Sequence, residues 1–309
     1  MIEKRMSDFT GNHILSVNQF DREAIEKVFS VANSMQPYAK RQKRTTVLDG
    51  AILGNLFFEP STRTRVSFGT AFNLLGGEVR ETTGMSSSAL AKGESLYDTA
   101  RVLSGYSDII AMRHPAAGSV AEFAEGSRVP VINGGDGANE HPTQALLDLF
   151  TIKRELEYNG HGIDGLHIAM IGDLRYGRTV HSLSRLLCLF KNIRFTLISP
   201  KELAMPQPII DAIENAGHQL TITDTLEGNM DADICYQTRI QEERFPSQDS
   251  RMEANELDND LNLNPNLAIF RQTDNGVLVR MALFALTLGV ENLLTKYERD
   301  VVWYSNKSK

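Results

Sequence analysis

A chain of 309 residues, 41% hydrophobic and 23% charged, exceeds one ordinary core and fits two globular domains of about 150 residues each. Its formal net charge of −7 speaks against a nucleic-acid or acidic-membrane partner, and no apolar run approaches the roughly 18 residues of a bilayer-spanning helix. The start, Met1-Ile2-Glu3-Lys4-Arg5 and then Asp8, Asn12 and His13, has no apolar stretch for export and predicts a cytoplasmic protein. Both cysteines, Cys188 and Cys235, lie in apolar runs and read as buried free thiols. No Cys/His spacing suits zinc, so no metal is expected.

Along the chain, Ile52 to Phe58 reads as a buried strand. Thr62 to Leu75 follows as a helix, with Val66, Phe68, Phe72 and Leu75 near helical spacing and Gly76-Gly77 as its stop. Between them stands Ser61-Thr62-Arg63-Thr64-Arg65. Unpaired N–H groups at a helix start, the positive end of its dipole, hydroxyls and guanidinium groups converge there, and these are the groups a phosphate requires. A single Ser/Thr cap with solvated arginines would be the plainer account. Two threonines and two arginines in five residues favour the anion site. Ser86 to Glu94 is a polar loop ahead of a helix, and taken alone it leaves Lys92 in solvent.

Asp108 to Met112 and Val129 to Asn133 read as further strands. Arg113 follows the first, where an open parallel sheet binds its ligands. After the second, the glycine-rich Gly134 to Gln144 delivers His141 and Gln144 to the next helix. A lone histidine is more often a capping or packing group; its place at a third strand end shifts that balance. The second half repeats the scheme, with strands at His167 to Ile171, Phe195 to Ile198 and Ala232 to Tyr236. Helices are expected from Arg178 to Phe190 and near Pro208 to Ala216.

Strands alternating with helices predict an α/β chain of two doubly wound domains, each a mainly parallel sheet flanked by helices. The boundary falls near His141, giving domains at 1–142 and 143–276. Val277 to Leu294, nearly all apolar over Met281 to Leu286, predicts a buried helix that returns, with the rest of 277–309, to the first domain.

Two further motifs lie in the second half. Gly172-Asp173-Leu174-Arg175-Tyr176-Gly177-Arg178-Thr179 imitates the spacing of a nucleotide-binding P-loop, with Arg178 in place of lysine. Bulky Leu174, Arg175 and Tyr176 obstruct such a loop, so an arginine offered to a carboxylate is the better reading. Thr238 to Arg244 places Arg239 and Gln241 after a strand, either in a site or in a solvated charged stretch.

Taken together, Ser61 to Arg65, Met112-Arg113-His114-Pro115, His141-Pro142-Thr143-Gln144, Met170 to Leu183 and Arg239-Ile240-Gln241-Glu242-Glu243-Arg244 resemble the aspartate/ornithine carbamoyltransferase family over nearly the whole chain. Arg-x-Gln-x-Glu-Arg looks like the aspartate-using branch, and the ornithine-type loops are not found. The resemblance implies transfer of the carbamoyl group of carbamoyl phosphate to L-aspartate, in pyrimidine biosynthesis, without a metal or organic cofactor. It implies that Ser61, Thr62, Arg63 and Thr64 hold the phosphate, and that Thr64, Arg113 and His141 polarise the carbonyl. Gln144 would accept from the carbamoyl NH2. Arg178 and Arg239 would clamp the two carboxylates of aspartate, supported by Gln241. It also implies a homotrimer in which Ser88 and Lys92 reach a neighbouring subunit's site, Lys92 touching aspartate. Whether regulatory chains join the trimer stays open.

One family feature is absent. The His-Pro-Leu-Pro-Arg segment and the loop before it are missing, and Gln248 runs directly into Asp249. Two readings compete: a true deletion would leave a weakened homologue serving as a structural partner, whereas a longer parent protein would carry the loop and be active. Everything downstream, including Phe270 to Gly276, still fits the family and favours the second.

Overall fold

The computed structural model describes residue 6 and residues 8–84, 93–229, 231–238 and 259–308. Ser88, Lys92, Arg239, Gln241 and the junction of Gln248 with Asp249 lie outside the described residues. The chain divides into two compact units, residues 1–147 with 273–309 and residues 148–272.

In the first unit, α1 (Arg22–Ser34), α2 (Gln36–Ala39) and β1 (Lys43–Thr45) precede β2 (Ile52–Phe57) and α3 (Thr62–Leu74). Then come β3 (Glu78–Thr83), α4 (Leu96–Leu103), β4 (Ile109–His114), α5 (Ser119–Gly126) and β5 (Val131–Asp136). The order β3-β2-β4-β5 forms a sheet in which every pairing is parallel. β2, β4 and β5 begin as apolar runs, carry polar residues towards their carboxyl ends and are buried nearly throughout, as a sheet covered on both faces requires. Leu56, Ile110, Met112, Val120, Phe123 and Val131 form one core cluster. Burying each larger side chain contributes about 1.5–3 kcal/mol relative to exposure. The chain steps from β2 to β3 on one side and returns with β4 on the other. The winding therefore reverses between β2 and β4, and that reversal opens a crevice at the strands' carboxyl ends.

α6 (Pro142–Tyr158) leads to the second sheet. β6 (His167–Ile171), α7 (Arg178–Leu187), β7 (Arg194–Ile198), α8 (Gln207–Asn215), β8 (Gln219–Thr223) and β9 (Ile234–Gln237) build a sheet of order β8-β7-β6-β9, again parallel at every pairing. Its winding reverses between β6 and β9.

α9 spans Ile269–Thr287, which corrects the expected Val277 to Leu294 at both ends. The apolar run marks only its buried half. Gly289, at φ 67°, closes the helix, with its N–H on Leu286 O and that of Val290 on Ala285 O, a left-handed C-terminal stop. The earlier turns are polar, and Arg271 binds both oxygens of Glu155 on α6 at 2.7 and 2.8 Å. In the first unit, Phe284 meets Phe68 and Phe72 edge-on, with ring centroids 5.9 and 5.0 Å apart. Arg280 Nη1 donates to Ser67 Oγ at 2.8 Å and the guanidinium lies 4.9 Å from the Phe68 ring centre. β10 (Glu298–Asp300) pairs antiparallel with β1, a pairing too short to read from sequence.

The expectation of two buried thiols holds in part. Cys188 is half-buried and burial pushes its pKa up to about 11, but Cys235 on β9 is exposed. Among the described residues no helix is long and apolar enough to cross a membrane.

Candidate active site

Three groups of candidate residues in the first unit follow the carboxyl ends of three neighbouring strands. Ser61 to Thr64 come after β2, Arg113 lies in the last turn of β4, and His141 and Gln144 come after β5. Ser61 occupies the N-cap of α3 in extended backbone, yet its side chain caps nothing. Its Oγ instead accepts from Arg113 Nη1 at 3.3 Å. Arg113 Nε and Nη2 both donate to Glu59 Oε1, at 3.1 and 2.5 Å. The guanidinium is thus aimed across the winding reversal by a carboxylate and a hydroxyl, both from the strand-to-helix turn. Thr62 and Arg63 are exposed and Thr64 is half-buried, all on the first turn. That turn offers backbone N–H groups and the positive dipole end to an anion.

Arg65 departs from the anion cluster in which the sequence placed it. Its guanidinium pairs with Glu81 on β3. Asn55 Nδ2 donates to Glu81 Oε1 and to Arg65 O, each at 3.1 Å. Arg65 therefore anchors α3 to the sheet.

The loop from β5 to α6 is tied down by one buried carboxylate. Asp136 Oδ1 accepts from Asn133 Nδ2 (3.2 Å) and the Glu140 N–H (3.0 Å), and Oδ2 from the Gly118 N–H (2.9 Å) and Asn139 Nδ2 (3.1 Å). Gly137 sits at φ 53°, where a Cβ would come within 2.7 Å of Pro115 O. His141 is 3% exposed, and its carbonyl accepts the N–H groups of Gln144 and Ala145 as α6 begins. His114 is structural: its Nδ1 accepts the Ala116 N–H at 3.0 Å, and burial holds its pKa below the ordinary value.

In the second unit, Arg178 opens α7 and is 6% exposed. The loop before it is no nucleotide cradle. Asp173 Oδ1 accepts the N–H groups of Arg175 (3.2 Å) and Tyr176 (2.9 Å), so two amides a phosphate would need are already engaged. His181 Nε2 donates to Leu174 O at 2.7 Å, fixing the loop to the first turn of α7. Gly172, at φ 105°, has no room for a side chain, since a Cβ would lie 2.7 Å from Thr238 Oγ1. Thr238 N–H and Oγ1 both donate to Ile171 O, at 2.9 and 3.1 Å. Thus the loop bearing Arg178 and the end of β9 meet at the second winding reversal.

Glu59, Asp136, Asp173 and His181 escaped the sequence reading as site residues, although the last three lie within motifs that drew attention and Glu59 stands two residues before one. The available signal was an acid or histidine beside clustered arginines and glycines.

Two family models match this chain: the carbamoyl-phosphate-binding domain of aspartate/ornithine carbamoyltransferases over residues 12–154, and their aspartate/ornithine-binding domain over residues 164–255. The chain belongs to the aspartate/ornithine carbamoyltransferase family. The aspartate carbamoyltransferase catalytic subunit of Cellvibrio japonicus is 64% identical over 97% of this chain and 98% of its own length. That of Saccharophagus degradans is 62% identical over 97% and 99%. Crystal structures of Trypanosoma cruzi aspartate transcarbamoylase, with carbamoyl aspartate and phosphate or with carbamoyl phosphate and aspartate, superpose at a TM-score of 0.83. They are 35% identical and cover 93% of this chain and 99% of theirs.

The Cellvibrio alignment runs over 333 positions, more than the 309 residues here. That relative therefore carries residues with no counterpart in this chain, as a segment absent after Gln248 requires.

Proposed function

We propose that this chain transfers the carbamoyl group of carbamoyl phosphate to the amino group of L-aspartate, giving N-carbamoyl-L-aspartate and phosphate. The observation that carries this reading is the junction of Arg113 with Ser61 and Glu59 at the start of α3, the phosphate end of the reaction. Ser61, Thr62, Arg63 and Thr64 hold the phosphate of the donor. Thr64, Arg113 and His141 stabilise the oxyanion that forms when the aspartate nitrogen attacks the carbonyl carbon. Gln144 accepts from the carbamoyl NH2. The attacking nitrogen gives up a proton to the phosphate, the C–O bond breaks, and hydrogen phosphate leaves as the dianion.

The first unit binds carbamoyl phosphate and the second L-aspartate. Arg178 takes one carboxylate, and Arg239 with Gln241 the other. Two guanidinium forks match a dicarboxylate in count and shape. Much of the acceleration comes from positioning the reactants. Similarity to proteins named aspartate carbamoyltransferase catalytic subunit supports the aspartate acceptor over the inert partner. We further propose a cytoplasmic homotrimer serving pyrimidine synthesis, in which a neighbour's Ser88 and Lys92 complete each site.

The test is formation of carbamoyl aspartate by the purified protein of confirmed mass, with Arg63→Ala as control. Absence of product overturns the reading. Tight binding of a phosphonate–aspartate bisubstrate analogue without turnover would return the inert homologue. A monomer by light scattering would overturn the trimer.

A further inference from the structure

A buried polar chain in the second unit lies outside every role assigned so far. Tyr236 on β9 donates its phenolic proton to Asp148 Oδ2 on α6 at 2.7 Å. Asp148, 2% exposed, accepts at its other oxygen from Gln272 Nε2 on α9 at 2.6 Å. The Thr179 hydroxyl of α7 hydrogen-bonds the same phenol, and burial, reinforced by Asp148, drives the Tyr236 pKa well above its usual value. The phenol therefore stays protonated and keeps donating. Thr179, Tyr236, Asp148 and Gln272 form one polarised run that links the first turn of α7 to three other elements.

Stability alone gives a weak reason for such a run. A buried tyrosine–carboxylate pair replaced by apolar side chains of like shape is close to neutral, so the pair's distinctive contribution is geometric. Its position says what it fixes. Thr179 is the residue directly after Arg178, and Tyr236 sits two residues before Thr238, which packs against the Gly172 turn at the second winding reversal. The phenol thus reaches the turn carrying Arg178 from the side, while His181 and Asp173 brace its loop from within.

We infer that Tyr236, held by Asp148, is a positioning residue for Arg178 and thereby sets the affinity for the acceptor's carboxylate. This rests on Arg178 binding L-aspartate. It predicts an effect confined to one of the two substrates. A guanidinium fork binds a carboxylate through two parallel hydrogen bonds and is intolerant of small displacements. Groups that hold it therefore act on acceptor binding and leave the phosphate end alone.

The experiment is steady-state kinetics on the full-length enzyme with Tyr236→Phe, Asp148→Asn and their double variant, beside Arg178→Ala. Tyr236→Phe is expected to raise the aspartate KM roughly tenfold while the carbamoyl phosphate KM stays within about twofold. Asp148→Asn is expected to do the same, and the double variant to be no worse than the poorer single one, since both remove one coupled device. Asp148→Asn serves alone if Tyr236→Phe does not fold. An unchanged aspartate KM beside a raised one in Arg178→Ala overturns the inference and spares the clamp. A parallel rise in both substrates' KM overturns it in favour of a merely structural role. If Arg178→Ala itself leaves the aspartate KM unchanged, the clamp falls and the inference with it.

Discussion

The two sheets place their candidate residues in the same way and hold them differently. In the first unit three adjacent strand ends each contribute, and the key guanidinium is gripped directly by Glu59 and Ser61. In the second unit the loop leading to Arg178 is braced by Asp173 within it and by His181 on the helix that Arg178 opens. Under the proposed function, the first arrangement converges several donors on a small, highly charged phosphate and the second offers one guanidinium fork to a carboxylate, each at a crevice where the winding reverses.

Four changes would break or sharpen that contrast. Among effects on turnover the largest is expected for Arg113→Ala, which removes the proposed oxyanion donor and should lower kcat by about 10²–10³-fold. Product formation at saturating substrates checks this, and a loss under tenfold would mean that Arg113 does not face the carbonyl. Phe284→Ala should follow, destabilising the first unit by about 3–5 kcal/mol through the cavity left against Phe68 and Phe72. A denaturant midpoint equal to that of the parent would contradict the packing of α9. Third, Arg178→Ala should weaken aspartate binding by about 2–4 kcal/mol and leave inorganic phosphate binding within twofold, as calorimetry can read for each ligand. The smallest effect is expected for Gly172→Ala, about 1–3 kcal/mol of backbone strain. Melting of the second unit should shift, and an unaltered curve would show that the turn relaxes at no cost.

Legibility from sequence followed the distance between partners. Strand cores such as Ile52 to Phe57 and His167 to Ile171 announce themselves as apolar runs, and the site residues follow their ends within a few positions. What stayed hidden depended on partners remote in the chain. Arg65 looks like part of the phosphate grip until Glu81 is seen beside it. Tyr236 looks like a core aromatic until Asp148, 88 residues away, accepts its hydrogen bond. Nor did the length of α9 show, because Met281 to Leu286 catches the eye while one glycine at positive φ decides where the helix stops.

Gly276 lies one helical turn before Arg280, and a Cβ there would come within 2.7 Å of the Arg280 guanidinium. That guanidinium in turn leans on Ser67 and Phe68 of α3. A side chain at position 276 would therefore push the Arg280 guanidinium off Ser67 and Phe68, so relatives that keep Arg280 in this berth are expected to keep glycine at 276.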